Sequence, residues 1–190
     1  MRTPQSLARP LPDGVRSLPD WFRRAGYFTA NVRSFPKQDK LSGTGKVDWM
    51  FIRGPEDQFD SATWTDLRQN QPFFAQVNFG EAHRRHGWSQ AHANANPKAD
   101  SEKVKIPPYY PDHPVTRKDW ATYLDFVNVL DRKVGRVLER LEEDGLADNT
   151  IVVFMTDHGR PMTRGKTLLY DSGIQIPLIM RWPNGIEPPA

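Results

Sequence analysis

At 190 residues the chain is long enough for one domain with a sizeable buried core, although its apolar share, 37%, lies below the globular norm. A net charge of +3, set against 26 Lys and Arg and 23 Asp and Glu, leaves no nucleic-acid footprint, so Arg23-Arg24 and Arg84-Arg85 read as solvated surface or local anion contacts. Without cysteine there are no disulfides or thiolate metal sites; no apolar stretch approaches a bilayer span, and residues 1–20 lack the apolar region of a signal peptide.

In chain order, Pro10-Leu11-Pro12-Asp13-Gly14 is turn chemistry. Ser17 is an N-cap for a short helix through Trp21, Phe22 and Ala25, with Pro19 in its first turn and Gly26 at the C′ position. Residues 27–31 predict a strand. Residues 33–70 read as irregular, punctuated by Gly43, Gly45, Gly54 and Pro55. Residues 72–79 predict a second strand, apolar enough for burial on both faces. Residues 80–114 again read as loop.

Thr116 with Asp119 resembles a capping box that opens a long helix. Trp120, Leu124, Val127, Leu130, Val134, Val137, Leu138 and Leu141 form its apolar stripe. Asp125, Asp131 and the acidic run at 139–144 fall on its polar face, and Gly145 ends it. Residues 149–155 then predict a buried strand, and 176–183 form a further apolar run. Strand, long helix, strand predicts a βαβ crossover, hence an α/β fold with a mostly parallel sheet flanked by helices.

The second strand of that crossover ends in Asp157-His158-Gly159, followed by Arg164-Gly165-Lys166 and Tyr170-Asp171-Ser172-Gly173. Glu81, His83 and His86 follow the earlier strand. Ligands gather at the carboxyl ends of strands in such sheets, so two polar clusters on one edge suit a crevice for an anionic ester. Taken singly, each has a plainer explanation: Asp157 bonding backbone amides, Gly159 supplying a turn, and His83, Lys46 and Lys166 standing as solvated side chains. Pattern alone stops at an α/β domain with an anion site.

Residues 123–183 resemble the sulfatase branch of the alkaline phosphatase superfamily. Leu130 to Leu138 is similar to its "LDxxVGRVL" helix, Gly145 to Gly159 to its "GLxDNTIVVFTSDHG" strand and turn, and Lys166 to Pro183 to its "KxxxYxxGxxxPLIxRWP" continuation. Earlier, Gly14 to Pro19 with Ala25 to Thr29 resembles "GVxTLPxxFRxAGYxT". Gly45 to Trp49 resembles the "GKTDW" lysine motif, and Pro72 to His83 the "PFFxxxxFxxxHxP" strand and histidine.

The resemblance implies that Asp157 is a ligand of a divalent cation, with His158 beside it in a position often held by Asn. The cation is calcium by family habit, and the imidazole keeps manganese and zinc as alternatives. It implies that Lys46 and Lys166 hold sulfate oxygens and that His83 contacts the sulfate or assists the leaving oxygen. The substrate class is then a small-molecule or oligosaccharide sulfate ester, most readily a carbohydrate sulfate. A phosphonate or phosphate ester hydrolase of the same superfamily, and a non-catalytic binder of sulfated glycans, stand as alternatives. The family's formylglycine arises from a C/S-x-P-x-R segment, and none occurs here: Ser17-Leu18-Pro19 continues with Asp20 and Trp21. The expectation is therefore a partial sulfatase-like catalytic domain over 1–190, incomplete at both ends and inactive alone, from a family whose full-length members are periplasmic or secreted.

Overall fold

The computed structural model describes residues 8–47, 49–54, 58–81, 83–84 and 88–183; His86 lies outside them. The chain forms two compact units, Met1–Phe79 and Gly80–Ala190.

In the first unit, helix α1 (Leu18–Arg24) begins where local chemistry places it. The Ser17 hydroxyl accepts the Asp20 N–H at 3.4 Å, Pro19 occupies the first turn, and Gly26 turns the chain out at φ +85. Strand β1 (Phe28–Ser34) is the centre of a parallel sheet, between β2 (Ser61–Thr63) and β3 (Phe73–Val77). The central position explains why Thr29, Ala30, Asn31 and Val32 are all buried. Strand β3 is an edge strand of this sheet and only half-buried along its length, not covered on both faces as its apolar run predicts. The stretch 33–70, read as irregular, contains β2; three residues are too few for an alternating pattern to show.

Asp60 locks β1 to the segment entering β2. Its carboxylate accepts the Thr29 N–H and hydroxyl, both at 2.8 Å, and pairs with Arg23 at 3.2 Å. Desolvation pushes its pKa up, but the bonds from Thr29 and the charge of Arg23 outweigh this and hold it below the usual carboxylate value. A depressed folded pKa means a contribution that is full above the unfolded pKa and is lost as pH falls through the folded one. Acid unfolding of the wild type should therefore have a component below the ordinary carboxylate range that Asp60→Asn removes, as thermal melts from about pH 5 down to about pH 2 would show.

The second unit is built on α3 (Pro114–Glu143), with α2 (Trp88–Asn94), β4 (Val152–Met155), α4 (Asp171–Ile174) and β5 (Leu178–Arg181). Helix α3 starts earlier than the Thr116–Asp119 pair predicts. His113 is the N-cap, its Nδ1 accepting the Val115 N–H at 3.2 Å, and Pro114 takes the first position, where its fixed φ suits a helix start. Asp119 instead holds Arg84 through two bonds of 2.7 and 2.9 Å. At the far end Gly145 takes φ +70, and the Leu146 N–H reaches the Leu141 carbonyl at 2.8 Å.

The buried face of α3 is rotated from the predicted stripe. Trp120 and Leu141 are buried, but so are Ala121, Thr122 and Phe126, while Val127 is exposed. Asp125, assigned to the polar face, is 0% exposed. It accepts the Ala99 N–H at 2.7 Å and lies 2.6 Å from His92 Nδ1. Helix α2, in a stretch read as loop, explains both differences: Trp88 packs on Phe126 with ring centroids 5.2 Å apart, so α3 turns this face toward it.

Strand β4 pairs antiparallel with β5, Val152 opposite Arg181 through Met155 opposite Leu178, whereas the three strands of the first unit pair in parallel. Burial alternates along β4. Val152 and Phe154 point to α3 across an apolar cavity of about 290 Å³, whereas Val153 and Met155 are exposed. One helix covers one face, which is why β4 is not buried on both.

Candidate active site

In the first unit, Lys46 is carried on a loop laid against β1 and β3, where the Gln76 side-chain amide donates to its carbonyl. The loop that carries it is pinned to both strands: the Gly43 N–H donates to the Arg33 carbonyl at 2.9 Å, the Thr44 N–H to Asn78 at 2.7 Å, and the Asn31 amide to the Gly45 carbonyl at 2.9 Å. A Cβ on Gly43 would lie 2.1 Å from the Val32 carbonyl oxygen, so only glycine allows this approach. Lys46 is exposed on a concave surface of about 310 Å³, lined also by Trp49, Phe51 and Gln76. The sequence identified the lysine but not Asn31 and Gln76, polar side chains inside strands that bond the loop's carbonyls.

In the second unit the loop after β4 folds back on itself. The Gly159 N–H donates to the Gly173 carbonyl, and the Lys166 N–H to the Arg160 carbonyl, both at 2.9 Å. The closure needs three glycines: a Cβ would fall 1.9 Å from Ser172 O at Gly159, 2.1 Å from Arg160 O at Gly165 and 2.1 Å from Leu168 O at Gly173. Asp157, His158 and Lys166 are thus carried on one compact loop. Lys166 is half-buried, with no carboxylate in ion-pair range among the described residues.

His158 Nδ1 lies 2.7 Å from the Gly159 carbonyl, which can only accept, so Nδ1 carries the proton and Nε2 keeps its lone pair unless the ring is doubly protonated. That Nε2 faces the Asp157 carboxylate at 3.5 Å. Two lone-pair donors at this separation favour a cation between them, and a ligating histidine is commonly fixed through its other nitrogen in this way. Asp157 is 75% exposed along its side chain and open to such an ion. The two residues fit a divalent cation chemically as part of a coordination shell; among the described residues no group of three His, Asp or Glu surrounds one.

His83 lies near the start of the second unit, half-buried in a turn closed by its N–H to the Gly80 carbonyl at 3.2 Å. Its neighbours in the predicted cluster have other work: Glu81 pairs with Lys133 at 2.5 Å, and Arg84, a candidate anion contact, is neutralised by Asp119 and lies 5.0 Å above the Trp88 ring. Arg23 and Arg24 are likewise tied to Asp60 and Asp20.

An aromatic and cationic group joins the loop that the sequence reading did not single out. Arg160 donates to the Tyr109 hydroxyl and lies 5.2 Å over the Trp120 ring, and the Tyr110 hydroxyl donates to the Thr163 carbonyl at 2.5 Å. Burial pushes the Tyr110 phenol above its usual pKa, keeping it a donor. Tyr109 and Tyr110 follow Pro107-Pro108 in a segment without periodicity, so only tertiary packing reveals their role.

The sulfatase family's sequence profile matches residues 1–190. An ulvan-active sulfatase of Formosa agariphila is 32% identical over an alignment covering 93% of this chain and 34% of that protein. Human N-sulphoglucosamine sulphohydrolase is 31% identical over 62% of this chain and 27% of its own length. The crystal structure of yidJ, a sulfatase-like protein of Bacteroides fragilis, superposes with a TM-score of 0.61 at 20% identity, covering 98% of this chain and 53% of that one. The chain thus spans about a third of the length of the curated relatives it matches. Its fold is the mixed α/β fold of that structure, and no described helix is long and apolar enough to cross a membrane. The chain belongs to the sulfatase family.

Proposed function

We propose that this chain carries the anion-binding and charge-stabilising part of the active site of a sulfuric ester hydrolase acting on a carbohydrate sulfate. The observation that carries the reading is the glycine-closed loop that holds Asp157, His158 and Lys166 together. The likeness of residues 45–49 and 72–83 to the family's lysine and histidine motifs supports adding Lys46 and His83. As the S–O bond breaks, negative charge grows on the sulfate and leaving oxygens. The ammonium groups of Lys46 and Lys166, held on pinned loops, stabilise that charge with little reorganisation. His83 hydrogen-bonds the sulfate or gives a proton to the leaving oxygen. Asp157 and His158 hold a divalent cation, which when bound supplies further positive charge at the sulfate oxygens. Calcium is the ion proposed, with manganese or zinc favoured to the extent that the imidazole ligates. The formylglycine motif does not occur in these residues, so the chain by itself should bind a sulfate ester and not hydrolyse it.

Calorimetric titration with a sulfated monosaccharide, with and without calcium or manganese, tests this. Binding should be saturable and strengthened by the cation, and no sulfate should be released. Asp157→Asn should remove the cation's effect. His158→Asn, which replaces nitrogen by oxygen, should shift preference from manganese toward calcium. Cation-independent binding in the wild type would refute the role given to Asp157 and His158.

A further inference from the structure

Arg160 and Arg164 differ from the paired arginines of the second unit. Arg84, Arg117, Arg136, Arg140 and Arg181 each hold a carboxylate, and Arg132 donates to the Asn96 carbonyl at 3.2 Å. Among the described residues neither Arg160 nor Arg164 has a carboxylate in ion-pair range, and both stand on the loop between the Asp157-His158 pair and Lys166.

Arg164 is the more exposed of the two, and it is not a loose surface side chain. Its guanidinium carbon lies 5.0 Å from the centre of the Tyr109 ring and 5.2 Å from that of Tyr170. The two rings are themselves partly open to solvent, 38% and 51% exposed. Its backbone sits at φ +62, a region that a non-glycine residue enters only under constraint, and the Ser172 hydroxyl holds its carbonyl at 2.5 Å. The loop thus fixes a planar, uncompensated, aromatic-flanked cation two positions before a lysine assigned to the reacting sulfate.

A guanidinium in this setting suits the paired oxygens of a carboxylate or sulfate, and tyrosine rings beside it suit the apolar face of a sugar. Resting on the reading of Lys166 as a sulfate-binding residue, we infer that Tyr109, Arg164 and Tyr170 form a specificity subsite that recognises a second oxoanion on the substrate. The substrate class is then a sugar carrying an anionic group besides the sulfate that reacts, either a uronate carboxylate or a further sulfate.

The test compares affinities of the 190-residue chain for three disaccharides: one singly sulfated and otherwise neutral, one sulfated beside a uronic acid, and one disulfated. The wild type should favour at least one dianionic ligand by roughly tenfold, a ratio that added salt reduces. Preference for the uronate assigns the carboxylate, and preference for the disulfated sugar assigns the second sulfate. Arg164→Gln should collapse the ratio to about one, whereas Arg164→Lys, which keeps charge without the planar fork, should retain only part of it. Tyr170→Leu, which removes one flanking ring and leaves Arg164 in place, should lower the same ratio. Equal affinities in the wild type, or a ratio that survives Arg164→Gln while all affinities fall together, would overturn the subsite and leave the active-site reading standing. Failure of the wild type to bind any of the three would overturn both.

Discussion

Replacing Lys166 with alanine is expected to weaken binding of a sulfated sugar by about ten- to a hundredfold, the loss of one charge-assisted contact. Lys166 is half-buried beside a turn whose backbone is already satisfied, its N–H donating to the Arg160 carbonyl at 2.9 Å. Truncation therefore removes an ammonium and leaves the loop's closure in place, so the thermal midpoint should move little. Lys103→Ala serves as a control, since its ammonium is exposed and paired with Asp100 at 3.2 Å. A lysine that acts only through bulk charge would give the same small change at both positions, and titration calorimetry of the two variants separates the cases.

Gly159→Ala should have the larger structural effect. The added methyl would lie 1.9 Å from the Ser172 carbonyl oxygen and 2.8 Å from the Gly173 Cα, both backbone atoms with no freedom to swing aside. The Gly159–Gly173 hydrogen bond must then open, and with it the placement of Asp157, His158 and Lys166. Overpacking of this kind costs about 1–3 kcal/mol or more, and sulfate-ester binding should be lost. Gly135→Ala predicts the opposite sign: the site is inside α3 and its Cβ meets nothing within 4 Å. It should stabilise by roughly 0.5–1 kcal/mol through helix propensity alone. Paired denaturant melts check both, and a Gly159→Ala variant as stable as wild type would show that the loop is not closed as described.

Much of the local structure was legible because it depends on neighbours in sequence. Ser17, Pro19 and Gly26 bound α1 through contacts within a few residues, and Gly145 ends α3 in the same way. What stayed hidden depends on partners far along the chain. Asp125 has helical spacing suited to a polar face, and only α2 with Ala99 turns it inward. The apolar runs of β3 and β4 specify strands but not how many faces are covered. The Thr116–Asp119 spacing fits a capping box, yet His113-Pro114 begins the helix and Asp119 serves Arg84.

The site divides along the same line. Asp157, His158, Lys166 and Lys46 fall within short motifs and were named from them. The glycine contacts, the Asn31 and Gln76 supports and the Tyr109–Arg164–Tyr170 stack are tertiary. No periodicity or spacing encodes them.

The most direct measurement is an NMR titration of the wild-type chain with the 6-sulfate and the 6-phosphate of one hexose, in calcium, following amides of both units. Saturable binding of the sulfate ester in preference to the phosphate is expected, with shifts concentrated at residues 157–173 and around Lys46. No binding, shifts elsewhere, or tighter binding of the phosphate would contradict it, the last in favour of a phosphate or phosphonate ester hydrolase.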